Sequence, residues 1–593
     1  MNFTIKTLLR IGLMAAVGLA TLGALMAGLN TPPVADPSQL TTNLQRNDVR
    51  ALTAASPVKA SGAADSSSER EIFERWASQL AIDWQTHRDA QGLRSAEAAD
   101  WLTLCRRLSL GLVGSGVSLE EIRRLQVIPE AERFDVYRNR LLRSDRFHHY
   151  WAERFTRFLV GADEGPFLVY RRRRFRTWLA DQFRMNRPYD QLVQQLVTAE
   201  GLWTDRPEVN FYTVTYDTGD GEPDPVRMAA RMTRAFLGVR IDCLQCHDDF
   251  LGNVSMGDPI WMGGDGQFRD GTQQDFHRLA AFFTGAKADG LRGIQNDAPE
   301  YVFQFLDSEE TELVSPQVPF RRDLVENDDP SVEAMGSGAR RVLADWLTHP
   351  ENKQFARAAV VRVWTLLFGR PPAALDAEVA VDDLPLDITD HPMIVTLTDA
   401  FIESGFDFRM LIKWITSSPA FIVDSQADFE VTRRHEDAMV VFPIVQLRGD
   451  QVAGAISQAG RIKTIDRDSS WLTQLQQFGD QNDFLKRYGD LGEDEFNTQA
   501  ITLTQRLTML NGKMVNAYSD WNPVLNATAH VGMFARDDAA AIESLYLTVL
   551  NRVPTQREAE HFLNRIDQAG SRKNAFEDLV WILFNSSEFA WNH

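Results

Sequence analysis

At 593 residues the chain is too long for one ordinary hydrophobic core, and its length suggests about three or four domain-sized units. Its hydrophobic share of 44% and aromatic share of 10% are those of a folded protein. The formal net charge of −20 excludes a general nucleic-acid binder, because that affinity comes mainly from Lys and Arg on phosphates. With only three cysteines, stability must come from packing.

The N-terminus predicts an export or anchor segment. Lys6 and Arg10 form a basic flank before residues 11–29, which carry no charge. Such a stretch is long enough to span a bilayer, and a cleaved signal peptide usually has a shorter apolar region. We therefore predict a signal peptide or N-terminal membrane anchor over residues 1–30 and a flexible linker over 31–68. Because the positive flank stays inside, the rest of the chain is expected on the periplasmic side of the cell envelope, membrane-anchored or secreted.

Residues 69–285 predict a helical domain. Apolar residues recur three and four positions apart, which is the period of one helix face. Ser118, followed by Glu120 and Glu121, has the pattern of a helix start. The remaining helices are predicted over residues 101–108, 134–142, 147–159, 171–183, 189–202 and 225–246.

The most specific motif is Cys243-Leu244-Gln245-Cys246-His247. C-x-x-C-H is the attachment signature of a c-type haem: two thiols add to the vinyl groups, and the histidine becomes an axial iron ligand. If the helix over 225–246 persisted to His247, Cys243 and His247 would share one helix face. Alternatives are a redox dithiol pair, a structural role, or non-haem metal held by His247, Asp248, Asp249 and His277.

Candidate sixth ligands of the iron follow the motif. Met256 and Met262 lie in a glycine-rich loop, and His277 lies on the next predicted helix. Methionine would raise the reduction potential and a second histidine would lower it. Each also has an ordinary interpretation, as a loop residue or a packed core histidine. An open sixth position would suit ligand binding or peroxide chemistry.

Two charged clusters have both a functional interpretation and a purely structural one. The arginine run could grip haem propionates, an anionic partner or a sulfated glycan, or could be a solvated helix face with Phe175 and Trp178 inward. Its members are Arg171, Arg172, Arg173, Arg174 and Arg176. An acidic loop could bind calcium but matches no standard calcium loop, so a solvated loop is the simpler interpretation. Its members are Asp376, Glu378, Asp382, Asp383, Asp387 and Asp390.

Beyond the motif, the pattern weakens and then resumes. Residues 286–335 predict an irregular connector with short β-like pieces around Val302, and residues 336–593 predict a second helical domain. No G-x-S-x-G elbow, phosphate-binding Gly-Lys-Ser/Thr loop or H-E-x-x-H motif is present, so no enzymatic reaction is assigned. The predicted fold is mainly α, with two helical domains behind the N-terminal segment and its tether.

The chain resembles the paired domains of unknown function in large secreted, cytochrome-c-like proteins abundant in planctomycetes. Strings that carry the resemblance include Arg107-Leu108-Ser109-Leu110, Trp151-Ala152-Glu153-Arg154, the cysteine motif, Leu367-Phe368-Gly369-Arg370, Ser417-Ser418-Pro419-Ala420-Phe421 and Asn551-Arg552-Val553-Pro554. The resemblance implies a bacterial exported protein but brings no settled activity. The chain departs from the family at Asp249, where a second histidine is usual, at Phe421, where tyrosine is usual, and in lacking a separate cytochrome module.

These observations favour an exported redox or electron-transfer protein with haem c on Cys243, Cys246 and His247, acting with a redox partner or another envelope protein. A haem-free envelope interaction protein linked to polysaccharide handling is one alternative. A hydrolase with non-haem metal at the histidine and aspartate set is another.

Overall fold

The structure is a computed structural model that describes residues 65–162, 170–216, 221–298, 300–325, 338–374, 379–489 and 502–593. The chain divides into two units, Met1–Arg70 and Glu71–His593. Of the first unit only residues 65–70 are described, at the start of a helix. The predicted anchor over 11–29 lies outside the described residues. None of the helices in the described ranges combines the length and the apolar character that spanning a bilayer requires.

The described residues are mainly helical, which confirms the predicted fold class. The first helices are α1 Asp65–Ala90, α2 Trp101–Val113, α3 Leu119–Gln126, α4 Glu130–Leu141, α5 Asp145–Val160, α6 Arg172–Arg184, α7 Tyr189–Val197, α8 Asn210–Thr213, α9 Pro225–Met232 and α10 Gln273–Ala281. Ser118 caps α3 as predicted, because its Oγ accepts a hydrogen bond from the Glu121 amide at 3.1 Å. Helix α7 ends at Val197, five residues earlier than the apolar pattern suggested.

The later helices lie between residues 339 and 585. They are α11 Ala339–Leu347, α12 Lys353–Phe368, α13 Pro392–Glu403, α14 Phe408–Ser417, α15 Pro419–Ile422, α16 Arg433–Asp437, α17 Gly449–Ala459, α18 Trp471–Tyr488, α19 Leu503–Asn511, α20 Lys513–Ser519, α21 Ala527–Phe534, α22 Asp538–Val549, α23 Gln556–Gln568 and α24 Arg572–Asn585.

Short antiparallel strand pairs complete the unit. They are β1 Ser255–Gly257 with β2 Phe268–Asp270, β3 Ala286–Ala288 with β4 Ile294–Asn296, β5 Val302–Phe303 with β6 Glu312–Leu313, and β7 Val445–Gln446 with β8 Trp591–Asn592. The weak pattern after residue 286 therefore corresponds to hairpins rather than helices. Strands β1 and β2 precede α10 in the chain, and strands β3 to β6 follow it.

One continuous core joins residues from both predicted helical domains. The Tyr189 ring stacks on Phe355 with centroids 5.0 Å apart, and Phe155 meets Phe408 edge-on at 5.3 Å. Arg107 on α2 is fully buried and donates to the carbonyls of Phe421 and Val423, both at 2.8 Å. Such contacts hold the two halves together by apolar burial and by hydrogen bonds that satisfy buried carbonyls. The domain boundaries themselves stay a prediction from sequence.

Candidate functional site: an exposed C-x-x-C-H loop

The cysteine motif does not continue a long helix, so that prediction is wrong. Helix α9 ends at Met232, a π-helical turn covers Thr233–Leu237, and a separate 3₁₀ turn covers Asp242–Gln245. Gly238 interrupts the helix with a left-handed φ of 62°, a conformation that favours glycine. Cys243 and His247 therefore do not share one α-helical face.

Residues of the second half hold the chain at this break. The Leu384 amide donates to the Gly238 carbonyl at 2.6 Å, and the Gln354 side chain donates to the Leu237 carbonyl at 2.6 Å. A Cβ on Gly238 would lie 2.8 Å from the Leu384 side chain, so a larger residue there would also displace that side chain. Sequence periodicity does not report such long-range partners. For this reason the apolar pattern predicts a longer helix than the folded chain has.

Both motif cysteines are free and exposed, whereas Cys105 on α2 is buried. Between them Leu244 is fully buried and holds the 3₁₀ turn to the body of the protein. Partial burial raises the pKa of the Cys243 thiol, and the carboxylates of Asp249 and Asp242 add to the rise. The motif thus presents two thiols to solvent from an anchored turn.

The His247 ring is oriented by the loop itself. It is exposed, and its Nδ1 lies 2.7 Å from the Asp248 carbonyl oxygen. A carbonyl only accepts hydrogen bonds, so the neutral ring carries its proton on Nδ1. In the described part of the chain no hydrogen-bond partner reaches Nε2. A histidine with Nδ1–H bound to a carbonyl and a free Nε2 lone pair is prepared to bind a metal.

The two aspartates after His247 serve the local fold. Asp248 accepts a hydrogen bond at 2.7 Å from the Gln273 amide, at the N-terminus of α10. Asp249 is buried and accepts from the amides of Leu251 at 3.1 Å and Val254 at 2.5 Å. The hydrogen bond from Val254 is the main reason that the pKa of Asp249 is lowered. Asp249 therefore closes the loop that follows the motif.

His277 is a packed core histidine. Its Nε2 donates to the Gln245 carbonyl at 3.0 Å, its Nδ1 accepts from the Tyr301 hydroxyl at 2.7 Å, and its ring stacks on Phe303 at 3.5 Å. Burial lowers its pKa. Both ring nitrogens are hydrogen-bonded, and the bond to Gln245 supports the motif turn. His277 would have to break a hydrogen bond before it could bind a metal.

The two methionine candidates are also buried. Met256 lies in strand β1 opposite Arg269 and is 1% exposed, and Met262 ends a short 3₁₀ turn and is 2% exposed. Neither side chain lies on the surface with His247. The choice of a sixth ligand stays a prediction.

Much of the arginine run is paired within the fold. Glu153 on α5 accepts from Arg172 at 2.8 Å and from Arg176 at 3.0 Å, both on α6. Burial alone would raise the pKa of Glu153, but the hydrogen bond and charge of Arg172, with the charges of Arg154 and Arg176, lower it to about 2. Phe175 is fully buried, as predicted. These contacts favour a role in packing α6 on α5.

The acidic loop is likewise tied to arginines where it is described. Asp382 binds Arg240 at 2.6 Å, and Asp390 accepts two hydrogen bonds from the buried Arg357, at 2.6 and 3.0 Å. Asp376 and Glu378 lie outside the described residues. Throughout the described ranges no group of three or more His, Cys, Asp or Glu residues is arranged to hold a metal ion. The structure therefore adds no support to calcium in this loop or to non-haem metal beside His247.

Sequence reasoning missed an apolar feature next to the motif. Phe250 is 81% exposed and Leu251 is 84% exposed, and the Phe250 ring lies nearly parallel to His247 with centroids 6.4 Å apart. Two large apolar residues between polar turn residues were the available signal. These exposed apolar side chains form a candidate contact surface beside a potential metal ligand.

The fold and site define a mainly helical protein that presents a C-x-x-C-H loop at its surface. Residues 84–262 match a family described as PSCyt2, a protein of unknown function (DUF1549), and residues 339–464 match PSD1, a protein of unknown function (DUF1553). The chain thus carries a pair of domains of unknown function, as the resemblance implied, and the motif lies within the first matched range. No curated protein matches the chain, and no solved structure matches it.

Proposed function

We propose that this chain is an exported haem c protein with a redox or electron-transfer role in the bacterial cell envelope. Cys243 and Cys246 would form the thioether links, and His247 would be the proximal axial ligand. When bound, haem iron cycles between its ferrous and ferric states and so carries one electron.

The carrying observation is the state of the His247 ring. The carbonyl of Asp248 fixes the proton on Nδ1, and Nε2 is exposed with its lone pair available. A lone core histidine normally has both nitrogens occupied, as His277 has. An exposed loop histidine with one nitrogen held and the other free, next to two free exposed thiols, has the donor set that haem c requires.

Other residues of the loop support this assignment. Leu244 anchors the turn between the two thiols, so both sulfurs stay at the surface without the loop collapsing. Phe250 and Leu251 provide apolar surface next to His247, which would cover part of a flat apolar group and exclude water from it.

The proposed location follows from the N-terminal sequence. A basic flank and an uncharged apolar stretch direct the rest of the chain out of the cytoplasm, where haem is attached to such thiols. The proposed partner is a redox protein or another envelope protein, and the membrane is contacted through residues 11–29 if that segment is not cleaved.

The decisive test is a pyridine haemochrome spectrum of protein made in a host with a working cytochrome c maturation system. We expect a c-type band that survives denaturation, is lost in Cys243→Ala/Cys246→Ala, and persists in the matched control Cys105→Ala. Absence of the band from full-length folded protein would end the haem proposal.

A haem-free envelope interaction protein linked to polysaccharide handling is the second candidate. Its supporting observation is the same exposed pair, Phe250 and Leu251, which could contact a partner directly. The two candidates differ in the same experiment, because only the haem protein has a band. If the protein carries no haem and the variant Phe250→Ser/Leu251→Ser no longer binds an envelope partner, the second candidate is supported.

A further inference from the structure

We propose that one face of helix α18 is the centre of a two-fold interface at which this chain pairs with a second copy of itself. The face, called here the α18 seam, is formed by Trp471, Leu475, Phe478 and Asn482, which recur at intervals of four, three and four residues. Residues at these intervals lie in one row along a helix, and paired helices bury such a row between them. This inference does not rest on the proposed haem function.

The fold leaves the α18 seam on the surface. Trp471 is 70% exposed, Leu475 60% and Phe478 62%. The other side of the helix holds it to the body of the protein, because Phe484 and Tyr488 are buried and α18 packs against α17. Burying a large apolar side chain contributes about 1.5–3 kcal/mol, which these three residues forgo while they stay in water. The seam is therefore an apolar surface with no use in the described part of the fold.

The exposed apolar area is close to what a dimer requires. Helix α19, which packs beside α18, adds a second exposed row made of Leu503, Leu507 and Leu510. At about 200 Å² for a large apolar side chain, the two rows expose roughly 700 Å² of apolar surface. A standard interface takes about 800 Å² from each partner, and about 65% of that area is apolar between identical chains. The two rows therefore supply the apolar area that one copy contributes to a dimer.

The lack of charge on the seam favours a second copy as the partner. Its four members and the exposed Gln474 and Gly479 beside them are uncharged. Two copies of a chain with a net charge of −20 repel each other, so an uncharged face is where that repulsion is least. A helix that lies on a membrane surface instead carries Lys or Arg beside its apolar face, and residues 471–482 contain neither.

The order of residues along the seam fits an antiparallel pair. With the two-fold axis between Leu475 and Phe478, each Leu475 lies across from Phe478 of the other copy. Each Trp471 then lies across from Asn482 of the other copy. An indole N–H donates and a side-chain amide oxygen accepts, so the polar groups at both ends of the seam are complementary. A parallel pair would place Trp471 on Trp471 and would lose this match.

The test is the mass of the full chain in a mild detergent, measured by light scattering after size-exclusion chromatography, with the detergent mass subtracted. At about 100 μM, a level that detects micromolar dissociation constants, we expect particles of two chains. Leu475→Asp should raise the dissociation constant at least tenfold, because each copy would bury an unpaired carboxylate. The matched control Val127→Asp changes an apolar residue that is 77% exposed at the end of α3, and it should leave the mass unchanged.

A single-chain mass for the wild type overturns the proposal. A dimer that Leu475→Asp leaves intact also overturns it, since pairing through the N-terminal segment would give that result. If the wild type is a single chain, and brominated phosphatidylcholine vesicles quench a tryptophan signal that Trp471→Phe lacks, a lipid surface covers the seam instead of a second copy.

A charge pair tests the antiparallel alignment. Trp471→Glu alone should weaken the dimer at least tenfold. The double variant Trp471→Glu/Asn482→Lys should recover part of that loss, because antiparallel copies place each new carboxylate opposite a new ammonium group. Within one helix the two positions are about 16 Å apart, so the recovery arises between copies. No recovery in the double variant overturns the alignment of Trp471 with Asn482.

Discussion

His247 in the motif loop and His277 on α10 make the same kind of hydrogen bond, but the two rings differ in what remains free. Each histidine donates one ring N–H to a backbone carbonyl of the motif segment, His247 to Asp248 and His277 to Gln245. The Tyr301 hydroxyl then occupies the other nitrogen of His277, and burial encloses the ring. The other nitrogen of His247 faces solvent. A histidine whose hydrogen bonds are complete stabilises the fold, whereas one with a free lone pair is available for chemistry.

The cysteines give the largest expected contrast between surface and core. In folded protein that carries no haem, a disulfide reagent should modify Cys243 and Cys246 at once, because both are exposed. Cys105 should react at least about a thousandfold more slowly, since it must wait for an opening that costs about 4 kcal/mol or more. Stopped-flow absorbance counts the thiols in each phase.

Cysteine variants assign those phases. Cys105→Ala should remove only the slow phase, and Cys243→Ala/Cys246→Ala should remove the fast phase. A fast-reacting Cys105 would contradict the burial of α2, and protected motif thiols would contradict the exposure of the loop.

The next largest contrast is the effect of replacing each histidine on the stability of the protein. His277→Ala removes a fully buried ring and leaves the Gln245 carbonyl and the Tyr301 hydroxyl without it, so we expect a loss of about 3 kcal/mol in the free energy of unfolding. His247→Ala, at an exposed loop position, should change it by less than about 0.5 kcal/mol. Denaturant unfolding followed by tryptophan fluorescence measures both. Equal losses in the two variants would remove the distinction drawn between the rings.

The smallest effect is a pH dependence that belongs to His277. Burial lowers its pKa in the folded state, so the unfolded chain binds the proton more readily near the ordinary pKa of about 6.5. The stability that neutral His277 provides is therefore present above that pH and is lost as the pH falls below it. The gap in unfolding free energy between wild type and His277→Gln should therefore shrink as the pH falls from roughly 7.5 to 5.5.

Comparison with a variant makes this measurement specific, because several other buried histidines also have lowered pKa values and contribute to the total slope. Burial lowers the pKa of His148 to about 4 and, with His87 nearby, that of His391 to about 3. His391→Gln serves as a reference variant, because removing that histidine changes the pH dependence of the unfolding free energy by a separate contribution. A gap for His277→Gln that does not vary with pH would show that the ring binds its proton equally well in both states.

Local patterns in the sequence predicted much of the fold. The apolar period of α5 and the Ser118 cap of α3 depend on neighbours within a few residues, so both could be inferred before the structure. The break that ends the helix before the motif could not be inferred, because Gly238, Leu384 and Gln354 meet only in three dimensions. The arginine run shows the same limit: its partner Glu153 lies on another helix.

The sequence by itself determined the helical class, the motif Cys243-Leu244-Gln245-Cys246-His247 and the paired domains of unknown function, since each is written in residues close together in the chain. Only the tertiary structure decided that His277 and Asp249 are used by the fold while His247 and the two thiols remain exposed. The reason is physical: whether a polar group is available depends on burial and on hydrogen-bond partners that the folded chain brings from distant positions.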